Sequence, residues 1–185
     1  TGAAAAVCTA TRIVNGGIMR FGRLWLGSAY GSELLDLSLT LQSQYWDSVS
    51  SSWLLNGDDA CTGAKLSTSG GSLSGYSGDL SSTNFGADHI SSFSNDGTGN
   101  GKWKIKLTKP SSAKAGSANL CLDLGPDPGV DPASNVVCSA ATSLAMPWLQ
   151  SKWYPGTSYS NDPWAKVTLG VYRSLRRLIH RREGF

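Results

Sequence analysis

Only two histidines, His89 and His180, could act as a general base in this 185-residue chain. A serine or cysteine nucleophile needs such a base, itself oriented by a carboxylate. His89 lies in "GADHISS" directly after Asp88, and successive residues of an extended segment point to opposite faces. No G-x-S-x-G elbow occurs, so a catalytic triad is not expected. Paired carboxylates could hydrolyse a glycosidic bond if a cleft held them about 5–10 Å apart. Glu33 and Asp36 flank two leucines in an expected turn, where acidic groups solvate the surface. Asp58 and Asp59 in "NGDDAC" are more motif-like, yet Asx side chains readily bond nearby backbone amides and shape turns. That role is favoured for the pair over weak calcium binding, and calcium over catalysis. The glycine loop 97–101 lacks G-x-G-x-x-G spacing and a following helix, so phosphate binding is unsupported. Seven tryptophans are more suggestive, since exposed aromatic faces can stack on sugar rings. Trp53, Trp153 and Trp164 fall near expected loops, with core packing as the competing role for each.

Charge narrows the partners. The formal net charge is +3, but residues 173–185 hold five arginines against Glu183. The preceding 172 residues carry eleven basic and twelve acidic groups, a net −1. A nearly neutral body with one basic end is not the broad positive field of a nucleic-acid-binding domain. No apolar run approaches the ~18 residues of a membrane span, and no basic-then-apolar leader begins at Thr1, so any export signal is expected to lie outside this chain. The cysteines at 8, 61, 121 and 138 include no C-x-x-C pair, which favours two disulfides in an exported protein over a zinc site. Four cysteines allow three connectivities. Cys8–Cys61 with Cys121–Cys138 is the preferred one, the second closing a short loop through "GPDPGVDPASN".

The elements that must position these groups are strands. In "LSLTLQSQYW" Leu37, Leu39 and Leu41 share one face while Ser38, Thr40 and Gln42 take the other, the period of a half-buried antiparallel strand. "IMRFGRLWL" (18–26) precedes it, and "WLL" at 53–55 reads as its hairpin partner after the turn "DSVSSS". "GKWKIKLTK" turns Trp103, Ile105 and Leu107 inward and Lys102, Lys104 and Lys106 outward; a lysine row of this kind can protect a sheet edge. "ANLCLDLG" buries Leu120, Leu122 and Leu124 and exposes Asn119 and Asp123. "MPWLQSKW" and "AKVTLGVY" read as further strands, with short ones at 65–67, 76–80 and 90–93. About ten strands and no sustained helical period imply an all-β, antiparallel β-sandwich, jelly-roll-like, with turn-rich loops. Residues 1–17 read as an arm or linker and 18–185 as a single domain.

"GRLWLGSAYGSELLDLSLTLQSQYW", "NGDDACT", "PWLQSKW", "NDPWAKVTLGVY" and "RLIHRRE" occur in that order. Together they resemble the C-terminal domain of MshQ-like proteins, exported proteins associated with MSHA-class type IV pili. That domain is of unknown function. The resemblance covers roughly Phe21 to Phe185 and implies an extracellular or cell-surface location. Where the family shows an acidic, glycine-rich loop, this chain has Tyr154, Pro155 and Thr157, leaving only Asp162 and the amide of Asn161 as oxygen donors. Calcium wants six to eight oxygens, so no cofactor is expected, calcium being the weaker alternative.

The expected function is therefore non-enzymatic: a structural or adhesive module of a bacterial surface protein, pilus-associated or filament-forming. Its partners would be copies of itself or other surface subunits. Thr1–Gly17 suits addition as a strand to a neighbouring sheet. In "RRLIHRRE" Leu178 and Ile179 suit an ordered terminal strand, with Arg177, Arg181 and Arg182 at a subunit interface. The alternative is a carbohydrate-binding module in which Trp53, Trp153 and Trp164 stack on sugars and Asp58, Asp59 or Asp162 orient hydroxyls.

Overall fold

A computed structural model describes residues 20–97, 100–125, 130–131, 136–138, 140–153 and 158–170. In chain order the strands are β1 (Gly22–Leu26), β2 (Ala29–Gly31), β3 (Leu37–Asp47), β4 (Ser52–Leu55), β5 (Gly71–Gly78), β6 (Ile90–Asn95), β7 (Lys102–Leu107), β8 (Gly116–Leu122), β9 (Val130–Asp131), β10 (Val136–Val137) and β11 (Trp164–Leu169). Among the described residues, one helical turn, α1 (Thr62–Lys65), and three 3₁₀ turns interrupt them.

The first sheet is organised by β3, whose alternation of leucines with polar residues spans eleven residues. One side of β3 pairs with β1 through residues 41–45. On its other side, residues 37–42 pair with β7 and residues 44–47 with β4, and β6 follows outside β7. Two strands thus share one edge of β3 end to end. They meet at Ser43, whose N–H donates to Gly101 O at 3.0 Å and whose carbonyl accepts from Asn56 N–H at 2.9 Å. Gly101 makes the junction feasible: its φ is +79°, and a Cβ there would stand 2.2 Å from Asn56 O. The β3–β4 turn is held by Asp47, whose carboxylate accepts from the backbone N–H and hydroxyl of Ser50.

The second sheet runs β2-β11-β8-β5, antiparallel except for the parallel pair β2–β11. Leu24, Leu26, Leu39, Leu41, Ile105 and Leu107 from the first sheet join Leu120, Leu122, Val167 and Leu169 from the second in one buried cluster. Phe85, Leu124 and Met146 complete it from the loops. Each such side chain contributes about 1.5–3 kcal/mol through its removal from water. The architecture is an all-β sandwich, with one face of each sheet turned to a common core.

Several elements differ from the sequence expectation. β8 is buried on both faces, and Asn119, expected outside, is 8% exposed. The disulfide Cys121–Cys138 explains part of this, because it straps Cys138 over the outer side of the second sheet, with Ser72 beside it. "MPWLQSKW" is not a strand: Pro147 opens a 3₁₀ turn, and only Ser151 makes an isolated bridge, to Asn161. The short strand expected at 65–67 is replaced by the end of α1 and the turn Thr68–Gly70. The lysine row of β7 does not guard an edge, since β6 pairs alongside it. Cys61 carries no free thiol; its expected partner Cys8, the 1–17 arm, and Arg177, His180, Arg181 and Arg182 lie outside the described residues.

Candidate binding face

Strand register converts the period-two pattern of the first sheet into rows of outward side chains. Arg23 of β1 stands opposite Gln44, and Gln44 opposite Leu55 of β4. Trp25, Gln42 and Lys102 form the next row, followed by Thr40 with Lys104 and then Ser38 with Lys106. In the other direction Trp46 pairs with Trp53, and Phe21 lies across from Trp46, accepting its N–H at 2.9 Å. Successive rows lie about 6.6–6.8 Å apart along the strands. The face therefore has an aromatic end, a guanidinium–amide middle and a lysine end.

At the aromatic end, Phe21 is 50% exposed, Trp46 41% and Tyr159 61%. Trp53 joins them, with ring centroids 5.7 Å from Phe21 and 5.6 Å from Trp46, while Phe21 meets Tyr159 edge-on at 5.8 Å. A cleft of about 330 Å³ opens between Phe21, Trp46, Trp53, Tyr159, Ser151 and Lys152. Such an exposed aromatic cluster is a feature a monomeric surface does not need for folding.

Arg23 links this cluster to the middle of the face. Its guanidinium carbon lies 4.0 Å from the Trp53 ring centroid and 4.9 Å from that of Trp153, cation–π geometry with both indoles. Its Nε donates to Gln44 Oε1 at 2.8 Å, and Gln44 Nε2 donates to Gln42 Oε1 at 3.1 Å. Burial pushes the Arg23 guanidinium down to about 10, which leaves it charged at neutral pH. At the far end, Lys106 Nζ pairs with Asp36 at 2.8 Å. Among the described residues, Arg23, Lys102 and Lys104 have no carboxylate partner.

The residues singled out by sequence divide sharply. Trp53 and Trp153 are brought together around Arg23, but Trp164 begins β11 in the other sheet, opposite Cys121. Asp58 is exposed. Asp59 is used locally, accepting from the N–H groups of Cys61 and Thr62 and from the Thr62 hydroxyl, which fixes the first turn of α1. Asp162 is 2% exposed and ties two loops together, accepting from Leu124 N–H at 3.0 Å and Gln150 Nε2 at 2.8 Å. Asn161 donates to Ser158 O and accepts from Ser151 N–H. These two aspartates serve turns and loops in the described structure rather than facing the aromatic cluster.

Metal and nucleophile chemistry find little support in the described residues. Cys121, Cys138 and Asp162 come close enough to suggest a ligand set, but the two sulfurs are bonded to each other and offer no thiolates. His89 is buried, packed on Phe85, with Nδ1 3.0 Å from the Thr108 hydroxyl and Nε2 3.3 Å from that of Ser111. Asp88 comes no nearer than 4.0 Å to Nε2, too far for the hydrogen bond by which a triad carboxylate orients its histidine.

Sequence reasoning missed Phe21, Arg23, Trp46 and Tyr159. The signal for Trp46 was present: it continues the outward series Ser38, Thr40, Gln42 and Gln44. No curated protein and no solved structure matches the chain. The model for DUF6701, fourth domain, a domain of unknown function, matches residues 20–184, and the chain belongs to that family.

Proposed function

We propose that this chain is a non-catalytic adhesive module of an exported bacterial surface protein, with the outward face of its first sheet as the contact surface. The observation that carries this is the asymmetry between the sheets. One has its outer side strapped by Cys121–Cys138. The other leaves Phe21, Trp46 and Tyr159 exposed at one end and a lysine row at the other. The resemblance of "LSLTLQSQYW", "NDPWAKVTLGVY" and "RLIHRRE" to MshQ-like proteins supports a cell-surface setting, as do the disulfides. Function then resides in a surface rather than a pocket.

The test is attachment of beads coated with the purified 185-residue chain to bacterial and host-cell surfaces. Attachment that falls at least fivefold with Trp46→Ala, and is unchanged with Tyr30→Ala on the second sheet, supports the proposal. Attachment indifferent to Trp46→Ala, or no attachment at all, overturns it.

A further inference from the structure

We infer that the ligand class of this face is an acidic polysaccharide that runs along the strands, with sugar rings on the Phe21–Trp46–Trp53 row at one end and carboxylates at Lys102 and Lys104, two and three rows further on. This inference rests on the contact surface proposed above and gives it a chemistry. Arg23 donates to Gln44, and Gln44 donates to Gln42. Each amide oxygen thus accepts inside the relay, which leaves one N–H of Gln44 and both of Gln42 beyond these two bonds. With the ammonium groups of Lys102 and Lys104, the middle of the face presents donors and positive charge. The carboxylate of Asp36 is already engaged by Lys106. A donor-rich surface calls for an acceptor-rich, anionic ligand.

The spacing and density of charge choose among anions. Three cations that have no carboxylate partner among the described residues, Arg23, Lys102 and Lys104, are distributed over rows about 6.6–6.8 Å apart. Nucleic acid carries one charge per phosphate and draws on larger clusters of cations, with steep salt dependence. The near-neutral body of this chain supplies no such field, and sparse cations suit a polymer with one carboxylate per sugar. An acidic peptide would satisfy the lysines but has no repeated flat apolar face for the aromatic row. Pyranose rings do, and their hydroxyls match the outward amides.

The experiment is isothermal titration of the 185-residue chain with oligogalacturonate, with its methyl-esterified counterpart, with poly-glutamate and with single-stranded DNA. Oligogalacturonate should bind, and methyl esterification should weaken it at least tenfold. The double variant Lys102→Gln/Lys104→Gln should lose the same factor and most of the salt dependence, whereas Trp46→Ala should weaken both the acid and the ester. Thermal melts of each variant confirm folding; Trp46 and Lys104 are exposed and Lys102 is half-buried. No binding of oligogalacturonate, equal binding of acid and ester, or tighter binding of DNA or poly-glutamate overturns the inference. Bead attachment that stays sensitive to Trp46→Ala while oligogalacturonate fails to bind would sink the ligand class and leave the contact surface standing. Attachment insensitive to Trp46→Ala sinks both.

Discussion

Gly101→Ala perturbs the point where two strands meet on one edge of β3, and its cost can be worked from geometry. At φ +79° an alanine is held in the left-handed region, which costs a non-glycine residue about 1–2 kcal/mol. The new Cβ would stand 2.2 Å from Asn56 O and 3.0 Å from Asn56 C. Backbone cannot rotate aside as a flexible side chain would, so the end of β4 must withdraw. That sacrifices the Asn56 N–H···O Ser43 bond, about 1 kcal/mol net. The stiffer unfolded chain offsets about 0.4–1 kcal/mol. The expected loss is about 2 kcal/mol, a fall in Tm of about 4–8 °C for a chain of this size. Two further glycines separate the causes. Gly97 has φ +81° with nothing within 4 Å, and Gly57 has neither a positive φ nor a neighbour. Gly97→Ala should therefore cost no more than about 1–2 kcal/mol, and Gly57→Ala should be neutral within about 0.5 kcal/mol. Thermal denaturation followed by circular dichroism ranks the three, and amide exchange at Asn56 reports the junction. A Gly101→Ala variant no less stable than Gly97→Ala would falsify the tight junction.

Other expectations follow from single groups. Ser43 Oγ is buried without a hydrogen-bond partner, so Ser43→Ala should leave stability unchanged or raise it by up to about 1 kcal/mol in urea melts; a clear loss would refute this. Asp162→Ala strips the acceptor from Leu124 N–H and Gln150 Nε2 and should cost about 2–4 kcal/mol, more than the roughly 1 kcal/mol expected for Asp59→Ala at the first turn of α1. The reverse order in denaturant midpoints would be wrong for this fold. Hydrogen bonding from Lys106 holds the Asp36 carboxyl below its ordinary range, and that from Ser50 does the same for Asp47. Both folded-state values are depressed, so their stabilisation is complete above the ordinary carboxylate range and disappears as pH falls through the folded values. Melting curves taken from neutral to strongly acidic pH should therefore show an acid-side decline that is shallower in Asp36→Asn; an identical slope would deny Asp36 a part in it.

Local periodicity made much of the sandwich legible. β3 and β7 bury Leu39, Leu41, Trp103, Ile105 and Leu107, half-bury Leu37 and Lys102 and expose Lys104 and Lys106, because side-chain alternation is a property of one strand. What the sequence left hidden depends on contacts between distant segments. Asn119 is covered although it shares the outer face of β8 with Cys121, whose disulfide straps Cys138 over that side. Residues 146–153 turn rather than extend because Pro147 opens a 3₁₀ turn. The aromatic row needed the registers of β1, β3 and β4 together; no one of the stretches containing Phe21, Trp46 and Trp53 contains it. Asp59 was readable as a turn-former from "NGDDAC", whereas the anchoring role of Asp162 depends on Leu124, 38 residues away.

The placement of β11 has a temporal consequence. It is the last strand of the described chain, yet it sits between β2 and β8, and Lys166 N–H also reaches the hydroxyl of Ser28, 138 residues earlier. Until that strand arrives, β2 and β8 expose unpaired backbone to each other and to any neighbour. The described strands of the first sheet all lie before Thr108 and can assemble earlier. Pairing across so long a separation is slow, and open strand edges are prone to mispairing in the interval. A chain emerging from its N-terminus would hold the described strands of the first sheet over an unfinished second one. Shielding those edges until β11 docks then becomes a requirement of biogenesis rather than of the folded protein.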